Sequence, residues 1–574
     1  MKNKTETTAY NEYISVAKSI TRTFISVFLF VLPLVITNGY YNITETKLIT
    51  FYILSVVYLL VQLFVFFIFI ISKRKDFLNS LSFKLNFLDI AFILFGVSYI
   101  VSGIFSPFGS TDTLLGIGSR YQGILTTILY ILIYFVLTRT FSFSPKCLVW
   151  AGIGFSVVSI IAVLNGLSVD PLGIYLNLTP ENKNLYISTI GNINFYSAYY
   201  NLLLPVFVVG FCKAVDKKAL IAFGSFVVMG SLGLVFTASE SFLFGFLISM
   251  LILLTFFIPH KHALKRFLFS CCLFLFTITL YTHLYRCNFP KNTFNFSPSG
   301  LMHLISNPIV ILILLLLFAL LLAIATKKPD KLHNVKKIYC TALVIAFSLG
   351  IIGVIAINTV FKTIDLGVLN DYLKFSPKWG TNRGQNWIFC IREFINAPLI
   401  YKLFGYGPET YYHLTKKAGF YVAKSLDQAH NEYLQYLISV GISGLSSYLC
   451  IIFGTVKKCL KHIHNNPVAT GILCGLIAYW VQATVNIAQP FTTPIMFIFI
   501  AVLSKLTIEK PSQQKKSWGS CCFKICASHL ALSPSSDWSA SRLTCASSST
   551  RSSAACSRTW FCRSANTERT VRYR

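Results

Sequence analysis

The sequence predicts an all-α polytopic integral membrane bundle of about fourteen transmembrane helices, twelve at the fewest, with one large extracytoplasmic loop containing short helices. Three observations carry this. The chain of 574 residues is 55% hydrophobic and only 12% charged, whereas a soluble domain carries about 25% charged residues. Its mean hydropathy is +0.64, and a globule, which must cover itself with polar groups, cannot use that much apolar surface. Apolar runs of near-membrane length recur along the chain, and the loops between them divide Lys and Arg unequally.

A helix needs about 20 apolar residues to cross roughly 30 Å of hydrocarbon. Fourteen runs approach that length, near 20–37, 48–71, 88–105, 122–138, 147–165, 194–212, 219–237, 241–258, 266–285, 304–325, 338–360, 432–456, 468–486 and 490–507. Backbone amides in lipid must be satisfied within the segment, so each run is a helix. The first is preceded by a polar stretch, so no cleavable signal peptide is expected. Residues 1–360 then hold eleven helices, 361–431 form the loop, 432–510 hold the last three, and 511–574 are a tail.

Orientation follows from the loop cations. With the N-terminus cytoplasmic, the inside loops hold twenty Lys and Arg, and the short outside loops hold five: Lys47, Arg120, Lys183, Arg286 and Lys291. The expected location is a bacterial inner membrane with both termini cytoplasmic. The 361–431 segment falls outside and carries nine Lys/Arg, which long translocated segments tolerate. A loop that long is functional or disordered, and its Trp, Tyr, Phe and Ile argue against disorder.

The tail has seven Arg against three Lys, with sixteen Ser and six Cys, and the body prefers Lys. That shift suggests a changed reading frame or a fused stretch, and disorder is expected. A lipid-touching basic tail and a metal knuckle are the alternatives, but Cys521, Cys522 and Cys526 lack a matching distal pair. The other ten cysteines form no CxxC pair and read as small apolar filler. The net charge of +30 does not indicate nucleic acid, because its cations sit in short loops where topology explains them.

Central charges are nearly absent from the helices, which argues against an ion-coupled transporter. Chemistry is therefore sought in the outside loops. The large loop reads Trp379-Gly-Thr-Asn-Arg383-Gly-Gln-Asn-Trp387, then Arg392, Phe404-Gly-Tyr-Gly-Pro-Glu409 and Gln428-Ala-His430-Asn431-Glu-Tyr, and runs into Gly441-Ile-Ser-Gly444. Earlier pieces are Ser119-Arg120-Tyr-Gln-Gly123, Gly191-Asn192-Ile-Asn194-Phe and Leu204-Pro205, and a later one is Gln489-Pro-Phe-Thr-Thr-Pro494.

In order and placement these motifs resemble the O-antigen ligase and polysaccharide polymerase family of membrane glycosyltransferases, over most of residues 90–508. The resemblance implies transfer of a glycan from an undecaprenyl-pyrophosphate carrier to an acceptor hydroxyl of a glycan or glycolipid, at the outer face of the bilayer. Arg383 suits the pyrophosphate leaving group, because a guanidinium fork binds two phosphate oxygens at once. His430 suits a general base, with an unperturbed pKa near 6.5. Arg120, Trp387, Asn431 and Glu409 are the candidate substrate-binding residues. No cofactor is implied, and the absence of an Asp-x-Asp motif from the outside loops fits metal independence.

One departure is plain: Glu240 stands where family members often carry an Arg, so phosphate contact must come from elsewhere. Structural readings stand beside the functional ones. Arg383 could meet lipid headgroups, His430 could cap a helix, and Arg120 could be an interfacial anchor. Trp379 and Trp387 could be interfacial aromatics, and Gly405 and Gly407 read as turn residues. Asp427 and Glu409 are alternative bases. The competing function is a flippase or other transporter for lipid-linked glycan, against which stands the lack of an internal repeat.

Overall fold

The structure, a computed structural model, describes residues 2–506 apart from 73–76, 78–83, 117–119, 177, 238, 290–293, 420–426 and 463–465. These fall in one compact unit, Met1–Ile525. The tail at 511–574 and Ser119 lie outside the described residues.

Among the described residues eleven helices are long and apolar enough to cross a membrane, and three shorter apolar helices join them. In chain order they are α1 (Lys2–Leu34), α2 (Ile43–Ser72), α3 (Phe87–Ile104), α4 (Ile124–Thr140), α5 (Pro145–Gly166), α6 (Ile193–Lys213) and α7 (Lys217–Leu234). Then come α8 (Glu240–Phe257), α9 (Lys261–Arg286), α10 (Pro308–Lys327), α11 (Leu332–Thr359), α12 (Glu432–His462), α13 (Pro467–Gln482) and α14 (Thr492–Leu506). The protein is an all-α, multi-pass membrane protein. All fourteen apolar runs became helices, with shifted ends. The run expected from 304 starts at Pro308, because Asn307 caps it with Oδ1 on the Ile309 amide and Gly300–Ile305 forms a separate short helix.

Contacts between connectors check the count of crossings. The loop after α1 meets the loop after α5, with Tyr40 Oη donating to Ser188 O at 2.7 Å. The loop after α3 meets the one after α11, with Ser106 Oγ on Tyr406 O at 2.8 Å. Tyr372, after α11, donates to Glu240 at the start of α8 (2.7 Å), and the Glu432 amide opening α12 donates to Ala483 O after α13 (2.9 Å). Connectors following odd-numbered helices thus meet on one face, as alternate crossings require. On the other face Lys458 near the end of α12 reaches Ser504 near the end of α14 at 2.7 Å.

Sequence dictates several of these joints. The end of α1, with Pro33 inside it, leaves carbonyls without helical partners. The Lys47 ammonium, 2% exposed, donates to Leu32 O (2.9 Å), Pro33 O (2.9 Å) and Val35 O (2.7 Å). Lys47, expected as a loop cation, is instead a buried cap inside α2. Helix α6 is the axis of the bundle, its membrane window 94% buried, whereas that of α11 is 0% buried and faces outward. Gly471 and Gly475 on α13 let it close on α6: a Cβ at Gly475 would lie 2.3 Å from Leu202 O. Without a hydrophobic drive between helices in lipid, such close approach is what holds them.

Helix α12 is broken at Gly441 (φ 69°, ψ −167°). The break strands the Ile438 and Ser439 carbonyls, and the turn at Gly405 and Gly407 takes them up. Tyr406 N donates to Ile438 O at 3.0 Å and Gly407 N to Ser439 O at 2.9 Å. Ser102 Oγ of α3 adds a bond to Ser439 O at 2.6 Å. The two glycine motifs are one joint, which holds the start of α12 against the long loop.

Candidate functional site

The site gathers at the N-terminal end of α12. Asn431 caps that helix, its Oδ1 accepting from Tyr433 N (2.9 Å) and Leu434 N (3.1 Å). His430, one residue earlier, has a left-handed backbone (φ 53°). Its Nδ1 lies 3.0 Å from Gln428 O. A carbonyl only accepts, so Nδ1 carries the proton and the neutral ring keeps its lone pair on Nε2. Among the described residues Nε2 has no hydrogen-bond partner.

Charges surround this imidazole. Burial pushes the His430 pKa below its usual value, Asp427 pulls it up, and Arg383 and Arg120 push it down. Both guanidiniums therefore lie within electrostatic reach of the ring, which is held in the neutral, base-competent form. Arg120 is committed elsewhere: its Nη2 and Nε meet Asp427 Oδ2 at 2.7 and 2.8 Å. Asp427, an alternative base by sequence, is thereby an ion-pair partner.

Arg383 is different. It sits on the helix Trp379–Asn396, just after three left-handed residues, Gly380, Thr381 and Asn382. Its Nε is buried without a partner, and its guanidinium forms no ion pair among the described residues. Burial lowers its pKa, the sign of a cation short of solvent and of a counter-charge. Two orphaned buried atoms share the helix, Asn386 Oδ1 and Trp387 Nε1. Trp387 stacks 5.9 Å from Phe375 and lies 5.0 Å from Trp379. The exposed Arg392 pairs loosely with Glu393 at 3.6 Å.

Glu409 is 7% exposed, and both its oxygens accept from Gln428 Nε2, at 2.9 and 3.1 Å. Burial raises its pKa to about 8. Glu240, at the head of α8, accepts from Tyr372 and ties α8 to the long loop.

Of the nine non-glycine residues with positive φ among the described residues, five belong to or flank these groups: Tyr121, Thr381, Asn382, Glu409 and His430. Such backbone costs about 1–3 kcal/mol each and persists at sites that need it. Gln428, Asn386 and the Arg120–Asp427 pairing were missed by sequence reasoning, because amides carry no motif and a pair separated by 307 positions leaves no local trace. Among the described residues no group of three or more His, Cys, Asp or Glu is placed to hold a metal ion.

The segment that builds most of this site has relatives. Residues 297–449 match the O-antigen ligase family (Wzy_C), the family whose motifs the sequence resembles. No curated protein matches the chain.

Proposed function

Proceeding from an O-antigen ligase domain in a multi-pass membrane protein, we propose a glycosyltransferase that moves a glycan from an undecaprenyl-pyrophosphate carrier to an acceptor hydroxyl. The observation that supports this reading is the half-buried Arg383, its Nε buried without a partner and its guanidinium without an ion pair among the described residues, within electrostatic reach of a His430 whose Nε2 has no hydrogen-bond partner among them. A buried cation without a counter-charge is expensive to maintain, and a pyrophosphate supplies the missing anion.

In the proposed step the acceptor oxygen attacks the anomeric carbon of the donor sugar. The bond from that carbon to the pyrophosphate oxygen breaks, and its electron pair leaves with undecaprenyl pyrophosphate. The acceptor proton passes to Nε2 of His430. Arg383 binds the leaving phosphates through two N–H bonds as their charge grows, a stabilisation of a few kcal/mol per donor group. Trp387 presents an aromatic face to the sugar. Arg120, neutralised by Asp427, shapes the field on His430. The long loop lies outside the cytoplasmic membrane in this reading, and both termini lie inside.

The test is turnover by the purified chain of an undecaprenyl-pyrophosphate-linked oligosaccharide, with mass analysis of both products. The enzyme releases undecaprenyl pyrophosphate together with an enlarged glycan, and His430→Ala does neither while inserting normally. Intact donor after prolonged incubation with folded wild-type protein would contradict the proposal, as would full turnover by His430→Ala.

A further inference from the structure

Residues 427–430 are held one by one from separate parts of the chain. Arg120 holds Asp427. Glu409 holds the side chain of Gln428, and Gln435 Oε1 accepts from the Ala429 amide at 3.0 Å. The Gln428 carbonyl in turn holds His430 through Nδ1. Glu409 and Gln428 are 7% and 1% exposed. They line a cavity of about 10 Å³ with Tyr99, Gln122, Glu432 and Tyr436, space for roughly one water.

We propose that Glu409 is a positioning residue for His430: it anchors Gln428, whose carbonyl fixes the imidazole with Nδ1 protonated and Nε2 free. This rests on the reading of His430 as the base. Two strained residues, Glu409 and His430, are joined by this one bonded path. Nothing else among the described residues accepts from the Gln428 side-chain amide. Removing the carboxyl leaves that buried amide without its acceptor, so residue 428 repacks and its backbone carbonyl, the partner of Nδ1, is displaced from the imidazole. The buried carboxyl fits this role, since its two oxygens supply the acceptor that the Gln428 amide needs. The charged and titratable groups around Glu409 are Arg120, Asp427, Glu432 and Tyr99.

The experiment is ¹⁵N imidazole NMR on the full chain labelled at histidine, with the His430 signal assigned by its loss in His430→Gln. Wild type shows Nδ1–H at His430. Glu409→Ala converts it to a mixture rich in Nε2–H, and Glu409→Gln, whose amide oxygen can still accept, restores the wild-type signal. With the same oligosaccharide donor, Glu409→Ala loses about 100-fold in kcat with little change in KM, the size of effect a misplaced catalytic group produces. Should Glu409→Ala fail to fold, Gln428→Met makes the same test from the other side of the bond. An unchanged Nδ1–H signal in Glu409→Ala or in Gln428→Met overturns the proposal. Full activity of His430→Ala would instead overturn the assignment of the base, leaving the tautomer result standing.

Discussion

Gly405→Ala is the sharpest test of the joint between the long loop and the broken α12. Gly405 has φ 76° and ψ −179°, a region essentially closed to residues with a Cβ, where occupancy costs about 1–3 kcal/mol. The added methyl would lie 2.2 Å from Ser439 O and 2.3 Å from Ser439 C. Both are backbone atoms, so no rotamer change relieves the clash. The turn must withdraw by more than an ångström, which breaks Tyr406 N→Ile438 O and Gly407 N→Ser439 O at roughly 1 kcal/mol each. The total is about 3–5 kcal/mol. Two controls calibrate it. Gly419 has φ +66° and, among the described residues, nothing within 4 Å of a new Cβ, so Gly419→Ala carries the left-handed term of about 1–2 kcal/mol. Gly350 lies in α11 with open space around it, so Gly350→Ala is neutral or slightly stabilising. Thermal denaturation of the purified chain in detergent, followed by size-exclusion chromatography, ranks the three. If Gly405→Ala melts with Gly419→Ala, the joint is not a structural element and the reasoning fails.

Other expectations follow from the same geometry. Lys47→Met leaves the Leu32, Pro33 and Val35 carbonyls without their donor and lowers stability by about 2 kcal/mol, measurable in the same melt. Activity requires neutral His430, so the rate falls as pH drops through its pKa, and burial with the two Arg charges puts that limb below 6.5. Arg120→Gln removes a charge that lowers this pKa, so the acid limb moves to higher pH; a shift to lower pH or none would contradict the placement. Arg383→Lys keeps the charge and loses the planar fork, with a fall in turnover of about 10²–10³-fold, read by release of the lipid pyrophosphate.

The membrane fold was legible because lipid imposes one rule on every segment: long apolar runs must be helices. Ends were less legible. Asn307 and Pro308 moved the start of α10, and Lys47 reads as a loop cation until α1 is seen to lack a cap. In the site, the motifs named Arg383 and His430, and the fold brings both within each other's field. Their surroundings were hidden. Arg120 finds Asp427 307 positions away, and nothing local in either stretch announces it. Glu409 and Asn431 read as substrate contacts from the motifs that contain them. The structure turns Glu409 inward to Gln428 and gives the Asn431 carbonyl to the α12 amides. Gly405 read as a turn residue and Gly441 as part of a helix motif, and only the break in α12 shows that the two stretches pack on each other.

Binding without turnover shows whether Arg383 receives a lipid pyrophosphate. A ligand at 100 times its Kd raises stability by about 2.7 kcal/mol, so geranylgeranyl pyrophosphate added to the purified chain should raise its melting temperature. Geranylgeraniol, which lacks the phosphates, should do so far less. Arg383→Gln should abolish the difference between the two lipids. An equal pyrophosphate-dependent shift in Arg383→Gln and wild type would contradict the account.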